Sequence, residues 1–399
     1  MRKLTLLLLL FTAVTACKKP LFDVSSREGS STGRVAPPSA PPDSAEQDIH
    51  IYATSIVFPD SADWRAGDTR DAKLVLWKDG EPLGAVPAGE RPDPLRHRYQ
   101  AGHLWTDTAD DGQTTVSCDG VPLFSFRGEE LFAGFLVADG VVHTLGQHPG
   151  GGFSYRTDGQ EVFSSETGLP MGRAMDPDWE GGALMRDTST VYYAYRLPVE
   201  VQDGDVWEYR IMKGGQLLKM LPAIAGGEVA DIRVKDGVVY RLETRYGGYY
   251  MLRGEALTSL GIPLTFQAIR LVPYGGQVVV KAVFRKGQDV FGCLLGGAGS
   301  NGFFHSSGLQ IYDLFAHDGN TYAILTHEDG FVAKVVLGEA EVPFPAQAYR
   351  LYTQRCVAFR EGILAMALSG MGTNDHLFLL NEDPTPVHFN GYFTGIYIQ

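Results

Sequence analysis

From Ile49 onward the chain alternates short apolar runs with polar turns, and the period is that of strands. Runs of five to nine residues rich in Val, Ile, Leu, Phe and Tyr are cut by Gly, Asp-Gly and Pro, with no sustained helical spacing. An all-β fold is expected. One arrangement recurs: an apolar strand ends in an acidic residue and Gly, and a second apolar strand begins. Its turns are Asp139-Gly140, Asp236-Gly237, Asp318-Gly319 and Glu361-Gly362, with looser copies at Gly102 and Gly276 and a degenerate one near Ser189. A second turn follows each, as at Asp79-Gly80, Asp119-Gly120, Asp158-Gly159, Gly214-Gly215 and Gly254-Glu255. Asp-Gly and Gly-Gly supply the positive φ angles that tight hairpins need.

Each unit is therefore two hairpins, or four strands, and the first turns recur every 38 to 49 residues. That spacing fits the blade of a β-propeller. Second strands start near Ile49, His103, Val141, Val191, Val238, Val278, Thr321 and Ile363, which predicts eight blades. Seven is the alternative, if the unit at Leu104 or the one at Tyr192 merges with a neighbour. The first unit begins directly with a second strand at Ile49, and residues 392–398 form a first strand without a partner of its own. Pairing the two would complete the first blade and close the ring.

The N-terminus has a different pattern. Arg2 and Lys3 precede an apolar run, residues 4–14, that is too short to span a bilayer. It ends in Val14-Thr15-Ala16-Cys17, which resembles the lipobox of bacterial lipoproteins. The resemblance implies that residues 1–16 are a cleaved signal peptide and that Cys17 carries a diacylglycerol and a third, palmitate-type acyl chain. Such chains hold a protein to the bilayer through buried methylenes. Residues 17–48 are rich in Ser, Pro and charge and read as a disordered tether, which leaves 49–399 as the folded domain. Lys18 and Lys19 differ from the aspartate that retains such proteins in the inner membrane, so the outer membrane of the cell envelope is the expected location, on either face.

Charge narrows the partners. With 34 basic and 47 acidic residues the net charge is −13, and no basic cluster stands out. Nucleic acid and anionic lipid surfaces are thereby disfavoured. Beyond Cys17 the cysteines are Cys118, Cys293 and Cys356, an odd and widely spaced set that reads as small core thiols rather than a disulfide framework or zinc site.

Candidate chemistry is sparse. Asp176, Asp178 and Glu180 alternate before Gly181, and Asp187 stands twelfth counting from Asp176, a spacing that could wrap carboxylates around calcium. Pro177 stiffens that loop. Residues 108–115 resemble the Asp-box of sialidase propellers, with Thr115 where that motif has Trp. Ten histidines are scattered, and only His143 and His148 lie close. No nucleophile elbow, zinc-protease helix, phosphate-cradling loop or dinucleotide fingerprint occurs.

Residues 74–80, Leu-Val-Leu-Trp-Lys-Asp-Gly, carry a resemblance to the degenerate propellers of Bacteroidota lipoproteins, where strands ending in Trp-Lys-Asn-Gly recur. It implies architecture and location more than chemistry. The function expected is that of a non-enzymatic binding module for a protein or glycan of the envelope. A polysaccharide-active lyase or glycoside hydrolase is the first alternative, and a structural subunit of an outer-membrane assembly the second.

Overall fold

A computed structural model describes residues 49–399, apart from 89–92, 173–180, 202–203, 223, 225–226, 246–247, 264–265, 275–276, 297–298, 319, 346 and 372. These residues form eight antiparallel sheets of four strands each, two of which carry one extra short strand. The chain is an eight-bladed β-propeller. Both units that could have merged build sheets of their own: His97–Gln100 to Val121–Arg127 form blade 2, and Leu169–Met171 to Gln216–Leu221 form blade 4.

Innermost strands run from Leu131–Ala138 in blade 3 through Val229–Lys235, Phe266–Tyr274 and Gln310–His317 in blades 5, 6 and 7. In blade 8 the inner position is shared by Tyr349–Arg350 and Val357–Arg360. Blade 1 is assembled from both ends of the domain. Gly391–Ile398 pairs antiparallel with Ile51–Val57, joining Tyr52 to Tyr397 and Ile56 to Tyr392, and Lys73–Lys78 and Glu81–Pro87 complete the sheet. The expected ring closure is therefore present.

Local chemistry explains the turns. At Asp119-Gly120 both residues have positive φ, 49° and 80°, which matches the twist of the strands they join. The Asp side chain has a second task. Asp119 Oδ1 accepts the N–H of Leu104 at 2.9 Å while its own N–H donates to the Leu104 carbonyl at 2.8 Å, so the outer hairpin is tied to the second strand. Asp79 on Ile51, Asp158 on Val142 and Asn381 on Leu364 repeat this two-way staple. Gly214 and Gly254 keep only the backbone half.

Apolar faces pack between neighbouring blades. Across the closure Trp77 meets Phe389 tilted and Phe393 edge to face in a core shared with Ala365, Ala367 and Ile396, and its indole N–H donates to Ser55 at 2.7 Å. Two short 3-10 turns, Pro94–Arg96 and Gln354–Cys356, flank that blade. Arg355 reaches from the second to the carbonyls of Pro94 and His97, and Thr353 donates to the Thr394 carbonyl. Closure is thus clamped from both sides. One helix, Ser61–Ala66, is capped by Asp60, and among the described residues no helix is long and apolar enough to cross a membrane.

Candidate functional site

Charged residues are concentrated near the inner strands, and they tie one blade to the next. Arg233 donates to the Gly182 carbonyl of blade 4 at 2.9 Å and pairs with Asp231, whose other oxygen accepts the Leu271 N–H of blade 6 at 2.9 Å. Asp313 of blade 7 takes Arg270 and Lys281 of blade 6 at 3.1 and 2.7 Å. Burial opposes the Asp313 charge, yet Lys281 and Arg270 hold its carboxyl below the usual range. Asp107 lies between Arg98 and Arg96 at 2.6 and 2.9 Å. There burial outweighs the two arginines and pushes the carboxyl up to about 6. Each carboxylate is engaged by cations or backbone, which makes this set a fastening rather than a reaction centre.

Ser154, His148 and Glu130 have the composition of a hydrolytic triad without its geometry. His148 Nε2 is 3.0 Å from Ser154 Oγ and 3.3 Å from Glu130 Oε1, so one ring nitrogen faces both partners, whereas a relay uses opposite nitrogens. Ser154 is only 1% exposed, and its hydroxyl donates to Glu161 at 2.9 Å. Glu130 is taken by Arg156 at 2.6 Å. No substrate carbonyl could reach this hydroxyl.

At the face carrying the turns that close the first and second hairpins of each blade, blade 2 gathers a different trio. His103 begins the second strand, Cys118 ends the third, and Asp119 opens the turn between the third and fourth. His103 Nδ1 lies 2.7 Å from Asp119 Oδ2, Cys118 Sγ lies 3.9 Å from the same oxygen, and all three donor atoms fall within 4.8 Å of one another. Burial opposes the Asp119 charge, but His103 and the Leu104 N–H hold its carboxyl below the ordinary value. The Cys118 thiol is raised by burial and by that carboxylate.

A second feature lies on the perimeter. In blades 1 to 4 the outermost strand carries a β-bulge three residues past the turn, at Leu83, Leu123, Val162 and Leu218. These aliphatic side chains are 60, 53, 46 and 47% exposed, and Val121, Leu217 and Met220 extend the row. The blades interlock closely here: a Cβ on Gly215 of blade 4 would come within 2.5 Å of Val162 in blade 3.

The sequence-level candidates fare unevenly. Asp176, Asp178 and Glu180 lie outside the described residues, as do Cys17, Gly276 and Gly319. Asp187 ends an inner strand of blade 4 and accepts the Gly237 N–H of blade 5 at 2.6 Å, so it serves a neighbouring turn. The Asp-box-like residues form the hairpin around Asp111-Gly112. Cys293 and Cys356 are buried core thiols as expected, but Cys118 is only partly buried. The trio was missed because its members come from two points of the repeat, His103 and the Cys118-Asp119 pair, and aligning the second strand with the following turn would have found it. Asp231 and Asp313 were findable too, since each precedes its turn aspartate by five residues.

Fold and site together define the class, an eight-bladed propeller with a charged, interlocked centre and an apolar arc on its rim. Among solved structures it is similar to the dihydro-heme d1 dehydrogenase NirN, at 12% identity and TM-score 0.50 over 87% of this chain and 74% of that one. It is also similar to AztD of Citrobacter koseri, at 11% identity and TM-score 0.48 over 88% and 98%. The propeller domain of the Trilobed protease of Pyrococcus furiosus follows at 8% and 0.43 over 72% and 93%. At such identities the likeness is one of fold alone. No protein-family model and no curated protein sequence matches the chain.

Proposed function

We propose that this protein is a cell-envelope lipoprotein, held to the outer membrane by acyl chains on Cys17, whose propeller binds a protein partner along the rim of blades 1 to 4. The observation that carries the reading is the row of bulged, exposed aliphatics at Leu83, Leu123, Val162 and Leu218. A bulge by itself protects a sheet edge from further pairing. Leu or Val on that bulge adds nothing to the protection and costs solubility, and apolar patches of this kind mark interaction surfaces. The residues are aliphatic rather than aromatic, which suits a protein surface better than a sugar ring. A glycan reading has one feature in its favour, the exposed Tyr352 stacked at 4.3 Å on Tyr392.

The test is photo-crosslinking in intact cells. A benzophenone side chain placed at Leu123 or Leu218 should give one discrete protein adduct that disappears when Leu83 and Val162 are changed to Asp. Those surface substitutions should leave the melting temperature nearly unchanged, since their effect on stability is within about 0.5 kcal/mol. An equal adduct from Asp111, on the opposite face of the ring, or none from the rim, would refute the reading. In parallel, Cys17→Ala should abolish fatty-acid labelling and release the protein from the membrane fraction; retained labelling would remove the anchor from the proposal.

A further inference from the structure

The trio in blade 2 has a built-in comparison elsewhere in the ring. In blade 1, His50 Nδ1 lies 2.8 Å from Asp79 Oδ2 while Asp79 Oδ1 accepts the Ile51 N–H at 2.8 Å, the same arrangement as His103, Asp119 and Leu104. The residue before the aspartate is Lys78 in blade 1, Thr157 in blade 3 and Cys118 in blade 2. A His–Asp hydrogen bond that steadies a turn accounts for the blade 1 pair. It does not account for a thiol set beside the same carboxylate oxygen.

Strand geometry brings the donors together. Cys118 is paired directly with Trp105 across the sheet, and His103 is two residues from Trp105 on the same strand, so His103, Trp105 and Cys118 share one face. The His103 and Trp105 rings meet edge to face at 6.4 Å. Asp119 is held in orientation by the Leu104 N–H on Oδ1, which leaves Oδ2 aimed at the other two donors. Ligands of a tetrahedral zinc ion, with bonds of about 2.0 Å to N and O and about 2.3 Å to S, must lie a little farther apart than a hydrogen bond. The 2.7 and 3.9 Å separations require only small side-chain rotations to reach that spacing.

We propose that His103 Nδ1, Cys118 Sγ and Asp119 Oδ2 form a three-donor site for a divalent cation of the zinc class. One nitrogen, one sulfur and one oxygen suit a borderline ion rather than calcium or magnesium, which take oxygen alone. Binding replaces the S–H bond with a metal–thiolate bond and releases that proton to solvent. His103 and Asp119 are each 53% exposed at the side chain, so the fourth position faces water and can accept a further ligand.

Titration of the full chain with Co²⁺ alone tests this directly. The expected result is one equivalent of cobalt giving a near-ultraviolet thiolate-to-metal absorption and tetrahedral visible bands, with quenching of Trp105 emission, all reversed by Zn²⁺. Cys118→Ser should lose the thiolate absorption, and His103→Ala should lose tight binding. Asp119→Asn, which keeps an oxygen for the Leu104 N–H, should weaken binding without loss of fold, and His50→Ala should bind as the unaltered chain does. Absence of the absorption in the unaltered chain, or its persistence in Cys118→Ser, would overturn the site.

Discussion

Two histidines illustrate how much a single residue's surroundings decide. His97, whose ring contacts Thr394 at 2.6 Å, is buried beside Arg98 and Arg355, and burial first, then those cations, push its pKa down to about 3. His376, stacked on Phe389 at 4.0 Å, is pushed down to about 4, again chiefly by burial. Both values lie below the unfolded value near 6.5, so the unfolded chain binds more protons under acid conditions. Their contribution to stability is complete above about pH 6.5 and is lost as pH falls toward 4 and then 3. Asp107 works the other way: its folded value near 6 exceeds its unfolded one, so it favours the fold as pH falls through 6. Two histidines act against one carboxyl, so stability is expected to fall between about pH 7 and 4.5. Denaturant melts across that range should reveal it, and His376→Gln should flatten the slope. A slope unaltered by that change would mean that His376 is not buried in neutral form.

At the scale of the hairpin, the staple made by Asp79, Asp119, Asp158 and Asn381 suggests a gain where it is missing. Gly254 occupies the same turn position with φ of 61°, its N–H donates to the Val239 carbonyl at 2.8 Å, and nothing lies within 4 Å of a Cβ built there. Gly254→Asp would restore the carboxylate that accepts the Val239 N–H. Gly254→Ala brings the same strain of a side chain at positive φ with no hydrogen bond to offset it. The Asp variant should therefore be more stable than the Ala variant by about 1 kcal/mol. Equal melting temperatures would show that the side chain does not reach. These turns were also what made the fold legible in the sequence, because Asp-Gly states both its backbone angles and its position in the repeat. The inner ties were harder to read: Arg270, Lys281 and Asp313 meet only once two blades are side by side, and no local pattern marks them. The bulged row was illegible for a related reason, since Leu83 and Val162 look in sequence like ordinary strand residues until the register shift turns them outward.

Over the whole molecule, closure is the longest-range contact, and Thr54 meets Thr394 at a separation of 340 residues. Deleting residues 391–398 removes the inner strand of blade 1 and exposes Ile51–Val57 as a bare edge beside a core that includes Trp77 and Phe378. Cooperative unfolding should be lost, with aggregation on warming. Moving those eight residues ahead of Ile51 by circular permutation should instead keep the fold and speed its formation, because a non-local pairing becomes a hairpin. A deletion variant that still melts in one sharp transition would mean that the clamp from Arg355 to the Pro94 and His97 carbonyls suffices without the strand.

The split blade has a further bearing on biosynthesis. Ile51–Val57 emerges early from the ribosome and has to wait for Gly391–Ile398 before its sheet is whole. A chain that stops short of this strand would therefore be not a slightly smaller protein but one with an open seam, a ready substrate for proteases. In this way the seam makes survival against proteolysis depend on the late strand having been made and docked.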